Sequence, residues 1–114
     1  MVNKIEIKNK QYTYRVTWSE EDEEFVGQCA EFPSLSWLAS TQQKALKGIN
    51  NLVNDVVLDM ESNNEPIPEP LSTKHFTGKF TVRIPEDVHR KLAIKAAESR
   101  VSLNRYVSAK LSAD

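Results

Sequence analysis

A chain of 114 residues with 39% hydrophobic content can form one compact domain or two very small ones, and a piece of roughly 40 residues rarely folds unaided. The single cysteine, Cys29, excludes an intramolecular disulfide and a cysteine metal cluster, and no apolar run is long enough to span a bilayer. The net charge of −1 conceals an asymmetry: residues 1–70 carry twelve acids and six bases, whereas residues 71–114 carry four and nine, nets of −6 and +5. Such a split points to two jobs, an acidic half that faces a basic partner and a basic half that faces phosphate. No signal-peptide pattern is present, so a cytoplasmic location is expected.

The fold class expected is α+β. Tyr12, Tyr14, Val16 and Trp18 alternate with Thr13, Arg15 and Thr17, the aromatic and β-branched pattern of a strand, which Ile5 and Ile7 could lengthen. Ser19 to Glu24 reads as an acidic turn. Phe25 to Cys29 reads as the returning strand, with Gly27 at a bulge or close approach, and Leu35 to Ala39 as a third strand of a meander. Ser40 with Gln43 resembles a capping box. The helix it opens carries Ala45, Leu46, Ile49, Leu52, Val53, Val56 and Met60 as its apolar stripe, with Asn50, Asn51, Asn54, Asp55 and Asp59 on much of the other side.

Prolines at 66, 68 and 70 block helix and central strand and favour extended chain, so residues 62–75 are expected as a linker between domains at 1–61 and 76–114. Lys79-Phe80-Thr81-Val82-Arg83-Ile84 alternates polar and apolar residues, the pattern of a strand with one buried face. A lone strand of that length is unstable, so a second copy of the chain is expected to pair with it. A two-stranded ribbon fits the major groove of DNA. Pro85, Glu86 and Asp87 suit a helix start, and Val88, Leu92, Ala93 and Ala96 form that helix's inward stripe. Ser102 is placed to cap a second helix whose apolar face is Leu103, Tyr106, Val107 and Leu111.

Strand, helix, turn and helix in this order resemble a ribbon-helix-helix DNA-binding domain. The segment from Phe76 to Pro85, with Val88-His89-Arg90-Lys91-Leu92 and Ser102-Leu103-Asn104-Arg105-Tyr106, is similar to the C-terminal part of HicB-family antitoxins. The strand ending at Trp18, the Glu31 to Ala39 segment, the amphipathic helix and Glu65-Pro66-Ile67-Pro68-Glu69-Pro70 extend the resemblance over about Tyr12 to Leu111. It implies a truncated RNase H-like N-terminal domain that binds and blocks a small basic HicA-type ribonuclease toxin. It also implies a C-terminal domain that forms a homodimer through the ribbon, assembles as a dimer of dimers, and represses its own operon by binding operator DNA. By position, Lys79, Thr81 and Arg83 match the residues that contact base edges, Ser102 and Asn104 match the helix start that holds a phosphate, and Phe80, Val82 and Ile84 match the dimer core. Glycine is common in such families at the turn between the two helices. Here the turn is Glu98-Ser99-Arg100-Val101-Ser102, so either a non-glycine residue takes a left-handed conformation at a cost of about 1 kcal/mol, or Arg100 uses another turn and adds a phosphate contact.

Enzymatic chemistry is not expected. Glu20 to Glu24 are consecutive acids, whereas metal-assisted phosphodiester cleavage needs carboxylates converging from separated positions. His75 and His89 lack the spacing of a zinc site, and Cys29 suits a small buried hydrophobe better than a nucleophile. Neither metal nor cofactor is expected. Trp37 could serve the core or a partner surface. The competing reading of the whole chain is a stand-alone ribbon-helix-helix regulator whose N-terminal domain serves oligomerisation or ligand sensing.

Overall fold

The alternation after Thr13 builds a three-stranded antiparallel sheet in the order β1 (Tyr14–Ser19), β2 (Glu24–Cys29) and β3 (Ser36–Ala39). This is a computed structural model, and it describes residues 8–113; Ile5 and Ile7 lie outside them. The strand begins at Tyr14 rather than Tyr12 because the Thr13 amide donates to Glu31 Oε1 at 2.9 Å instead of entering the ladder. Tyr14 faces Cys29 and Ser19 faces Glu24 across the β1–β2 pair, and Phe25 faces Ala39 across β2–β3. In the tight acidic turn, Ser19 Oγ donates to Asp22 Oδ2 at 2.9 Å, and Glu23 takes a left-handed φ of 51°. Leu35 stays outside β3 because its amide closes a turn onto the Phe32 carbonyl.

Helix α1 (Gln42–Ser62) is capped by Thr41 and not by Ser40. Thr41 has the extended backbone of a cap and its hydroxyl accepts from the Lys44 amide at 3.1 Å, which places lysine where a capping box needs Gln or Glu. Ala45, Ile49, Val53 and Val57, at intervals of four, are sealed from solvent, while Leu52, Val56 and Met60 flank them and Leu46 is 43% exposed. Val57 therefore takes the place expected for Leu46. Close approach to the sheet needs glycine on both sides. A Cβ at Gly27 would lie 2.6 Å from the Ala45 carbonyl oxygen, and one at Gly48 would collide with the Trp37 indole ring. α1 thus crosses β2 at Gly27 and β3 at Gly48.

The helix ends in a left-handed Asn64, φ 56°, with the Glu65 amide donating to the Met60 carbonyl and the Asn64 amide to Glu61, the six-to-one and five-to-two bonds of a Schellman cap. The proline-spaced segment after it packs onto the same unit. Tyr12 stands edge-on to Phe32 with ring centroids 5.3 Å apart, and its hydroxyl donates to the Pro68 carbonyl at 2.6 Å. Ile67 packs against this core, Pro70 is fully buried, and Ser72 Oγ donates to the Gln11 carbonyl at 2.6 Å.

Glu31 ties the arrangement together. Its carboxylate accepts from the amides of Thr13 and Leu71, each at 2.9 Å, so the start of β1 and the chain 40 residues beyond Glu31 share one anion. Burial works to raise its pKa, but these backbone donors outweigh it and hold the carboxyl below its ordinary value. The buried Cys29 thiol next to it is pushed up to about 11, chiefly by burial, which disfavours the nucleophilic thiolate. Burial likewise raises the Tyr12 and Tyr14 hydroxyls. The division into two compact units falls between Phe76 and Thr77, so the segment expected as a linker sorts with the first unit.

The second unit holds α2 (Glu86–Glu98) and α3 (Leu103–Ser112), which pack on each other. Pro85 stands at the N-cap of α2, one position before the first turn, with Glu86 and Asp87 at the positive helix start. Of the stripe expected on α2, Ala96 alone is buried; Leu92 is half-buried, and Val88 and Ala93 are exposed. Leu103, Tyr106 and Val107 of α3 are half-buried, and Leu111 is exposed. Two helices of 13 and 10 residues offer too little surface to each other to seal a core.

Candidate nucleic-acid interface

Among the described residues, 77–85 join no sheet, and every side chain from Thr77 to Ile84 is exposed. Phe80 is 75% exposed and Val82 60%, values that a strand with one buried face would not give these positions. The alternation expected from the sequence is present as residues, but the ladder hydrogen bonds that define a strand are not formed within one copy. Lys79, Thr81 and Arg83 are exposed with their apolar neighbours.

An open groove runs between residues 77–82 and α3, lined by the apolar Phe80, Val82, Val107 and Leu111 together with the polar Lys79, Thr81 and Asn104. The fold therefore brings Lys79, Thr81 and Asn104 to one groove, while Arg83, Ile84 and Ser102 are not among its lining residues.

Ser102 and Asn104 sit where the sequence places them, at the start of α3. Ser102 is the N-cap with extended φ and ψ of −67° and 156°, and its hydroxyl accepts from the Arg105 amide at 3.1 Å. That bond spends the Ser102 oxygen on the helix and leaves the other first-turn amides for an outside acceptor. The turn before it answers the question set by the missing glycine: Arg100 is left-handed with φ 58°. The Val101 amide donates to the Ala96 carbonyl and the Arg100 amide to Ala97, so this is a second Schellman cap, and the geometry that glycine favours is held by arginine.

The electrostatics are those of an exposed basic surface. One ion pair, Arg90 with Glu86 at 2.9 Å along α2, lies on it with both partners exposed and contributes little. Lys110 stands over the Tyr106 ring at 5.6 Å. Among the described residues no group of three or more His, Cys, Asp or Glu is arranged to hold a metal ion, and no helix is long and apolar enough to cross a membrane. The groove and the Arg100 cap add to what sequence alone offers. Sequence spacing could not place residues 77–82 against α3, because no hydrogen bond or motif links them in order along the chain.

Compared with known protein families, residues 61–111 match the model of the HicB family. No curated protein and no solved structure matches the chain. The family match begins at the end of α1, runs across both helices of the second unit and covers less than half of the chain.

Proposed function

We propose that this chain is the antitoxin of a type II toxin–antitoxin pair. Its first unit binds and blocks a small basic HicA-type ribonuclease, and its second unit binds operator DNA as a ribbon-helix-helix homodimer, further assembled as a dimer of dimers, to repress the operon. The chain itself acts as a binding protein and not as an enzyme.

The observation that carries the DNA reading is the exposed alternation at residues 79–84. Phe80, Val82 and Ile84 are all large exposed apolar residues, and three such side chains at period two are matched by a second copy whose strand repeats the same period. Pairing two copies there removes the apolar side chains from water and turns Lys79, Thr81 and Arg83 outward on a ribbon as wide as the major groove. Arginine reads guanine through two hydrogen bonds, and threonine reads through its hydroxyl or methyl. The start of α3, with its free first-turn amides and the Asn104 side chain beside the Ser102 cap, then holds a backbone phosphate and fixes the register of the ribbon in the groove.

The test compares operator with scrambled DNA at one fixed salt concentration. Arg83→Ala should cost about 1 to 3 kcal/mol per lost bidentate pair on the operator and much less on scrambled DNA. Asn104→Ala should weaken both by a similar factor. If both substitutions lower both affinities equally, the outward ribbon face does not read sequence.

A further inference from the structure

The first unit leaves one corner of its sheet open. Alternation puts Tyr14, Trp18, Phe25 and Cys29 on the side that α1 covers, since Tyr14 and Cys29 enter the core and Gly27 lies against the helix. α1 crosses at Gly27 on β2 and Gly48 opposite Trp37 of β3, so β1, an edge strand, carries Trp18 beyond this cover. The indole is 51% exposed although it is held in place. Its ring meets Phe25 edge-on at 5.1 Å, and its N–H donates to Glu20 Oε2 at 2.7 Å. With its one donor spent, the ring has only its electron-rich face left to offer.

After Ser19 come five consecutive acids, Glu20, Glu21, Asp22, Glu23 and Glu24, and none pairs with a base among the described residues. A fixed tryptophan face beside unpaired carboxylates attracts a guanidinium or ammonium group through both the ring quadrupole and the surrounding charge. The other face of the sheet is less suited to a basic partner. It carries the exposed Leu38, but Arg15 lies on it too, facing Gln28 across the ladder.

We infer that the Trp18 corner, bounded by β1, an edge strand among the described residues, and the Glu20–Glu24 turn, is the docking surface for the basic protein partner, which lays an arginine or lysine over the Trp18 ring between the carboxylates. This rests on the proposed toxin-binding role of the first unit and assigns that role to a surface. Rigid tryptophans at the centre of a contact carry a large share of binding energy, and the surrounding acids set the association rate and its salt dependence.

The test uses the full chain and the purified small basic protein encoded beside it, with binding measured at two salt concentrations. Trp18→Ala should weaken binding at least about tenfold, and Glu20→Lys with Glu21→Lys should slow association and flatten its salt dependence, while Leu38→Ala should stay within about twofold of the parent. Circular dichroism of each variant checks its fold. If Trp18→Ala does not fold, the doubly charge-reversed turn, which lies outside the core, carries the decision. Parent-like binding by the folded variants overturns the proposal and leaves the toxin-binding role standing, with an equal loss in Leu38→Ala pointing to the opposite face. A fall in self-association with unchanged partner affinity in Trp18→Ala assigns the corner to a second copy and overturns it as well. If the parent itself binds no such protein, the role and the surface assignment fall together.

Discussion

The two units of this chain solve the problem of a small core in opposite ways. In the first, one helix lies across three strands, five residues of α1 are buried, and the proline-spaced segment is fastened down by Tyr12, Glu31 and Gln11. In the second, Ala96 is the one buried side chain among the described residues, and Phe80, Val82 and Leu111 face solvent. Both sequences alternate as strands do, and among the described residues only the first finds a partner strand. Apolar patterning therefore states that a face is to be covered, and for the second unit the proposed cover is a second copy.

The sharpest way to break the comparison is Val82→Asp. A carboxylate at the middle of the proposed ribbon would be buried unpaired, at a cost of several kcal/mol, so self-association at micromolar concentration should be lost while the first unit keeps its thermal transition. Ile49→Ala tests the other side. Ile49 is fully buried under Gly27, and its truncation should cost about 2 to 5 kcal/mol in the first unit's unfolding transition without changing self-association.

Glu31→Gln probes the fastening of the proline-spaced segment. Losing the charge from two amide bonds should cost about 1.5 to 3 kcal/mol and speed hydrogen exchange at Leu71 well before exchange at Val53 changes. The pH dependence has a fixed sign. Because the folded pKa of Glu31 is depressed, its contribution is fully present above the unfolded value of about 4.3 and is lost as pH falls through the lower folded value. Denaturation curves of parent and Glu31→Gln should therefore converge at strongly acidic pH. The smallest effect expected is a gain: Arg100→Gly relieves a left-handed arginine and should stabilise the second unit by up to about 1 kcal/mol, read as a shift in its melting midpoint.

Much of the first unit was legible in sequence because its signals are local. Alternation from Tyr14 to Trp18, the return at Phe25, the close approach at Gly27 and the long amphipathic helix all follow from periodicity and glycine chemistry. The cap moved from Ser40 to Thr41 because two adjacent hydroxyl residues satisfy the same rule, and backbone geometry chooses between them. Leu46 and Val57 exchanged places because the helix crosses the sheet at Gly27 and Gly48, an angle that no helical wheel contains. The prolines correctly excluded helix and central strand, but they could not show that Glu31 and Tyr12 would pin that segment, since those partners lie 40 and 56 residues away. In the candidate site, Ser102 as cap follows from local chemistry, whereas the left-handed turn at Arg100, one of two options open in the sequence, and the groove joining Asn104 to Lys79 and Thr81 need the fold.

The central claim is that the second unit completes its core with another copy of itself. Sedimentation equilibrium of the full chain and of Val82→Asp across micromolar concentrations tests it most directly. The parent should sediment as a dimer or a dimer of dimers, and Val82→Asp as a monomer whose first unit remains folded. A parent chain that is monomeric throughout this range, with both units unfolding cooperatively, would contradict it.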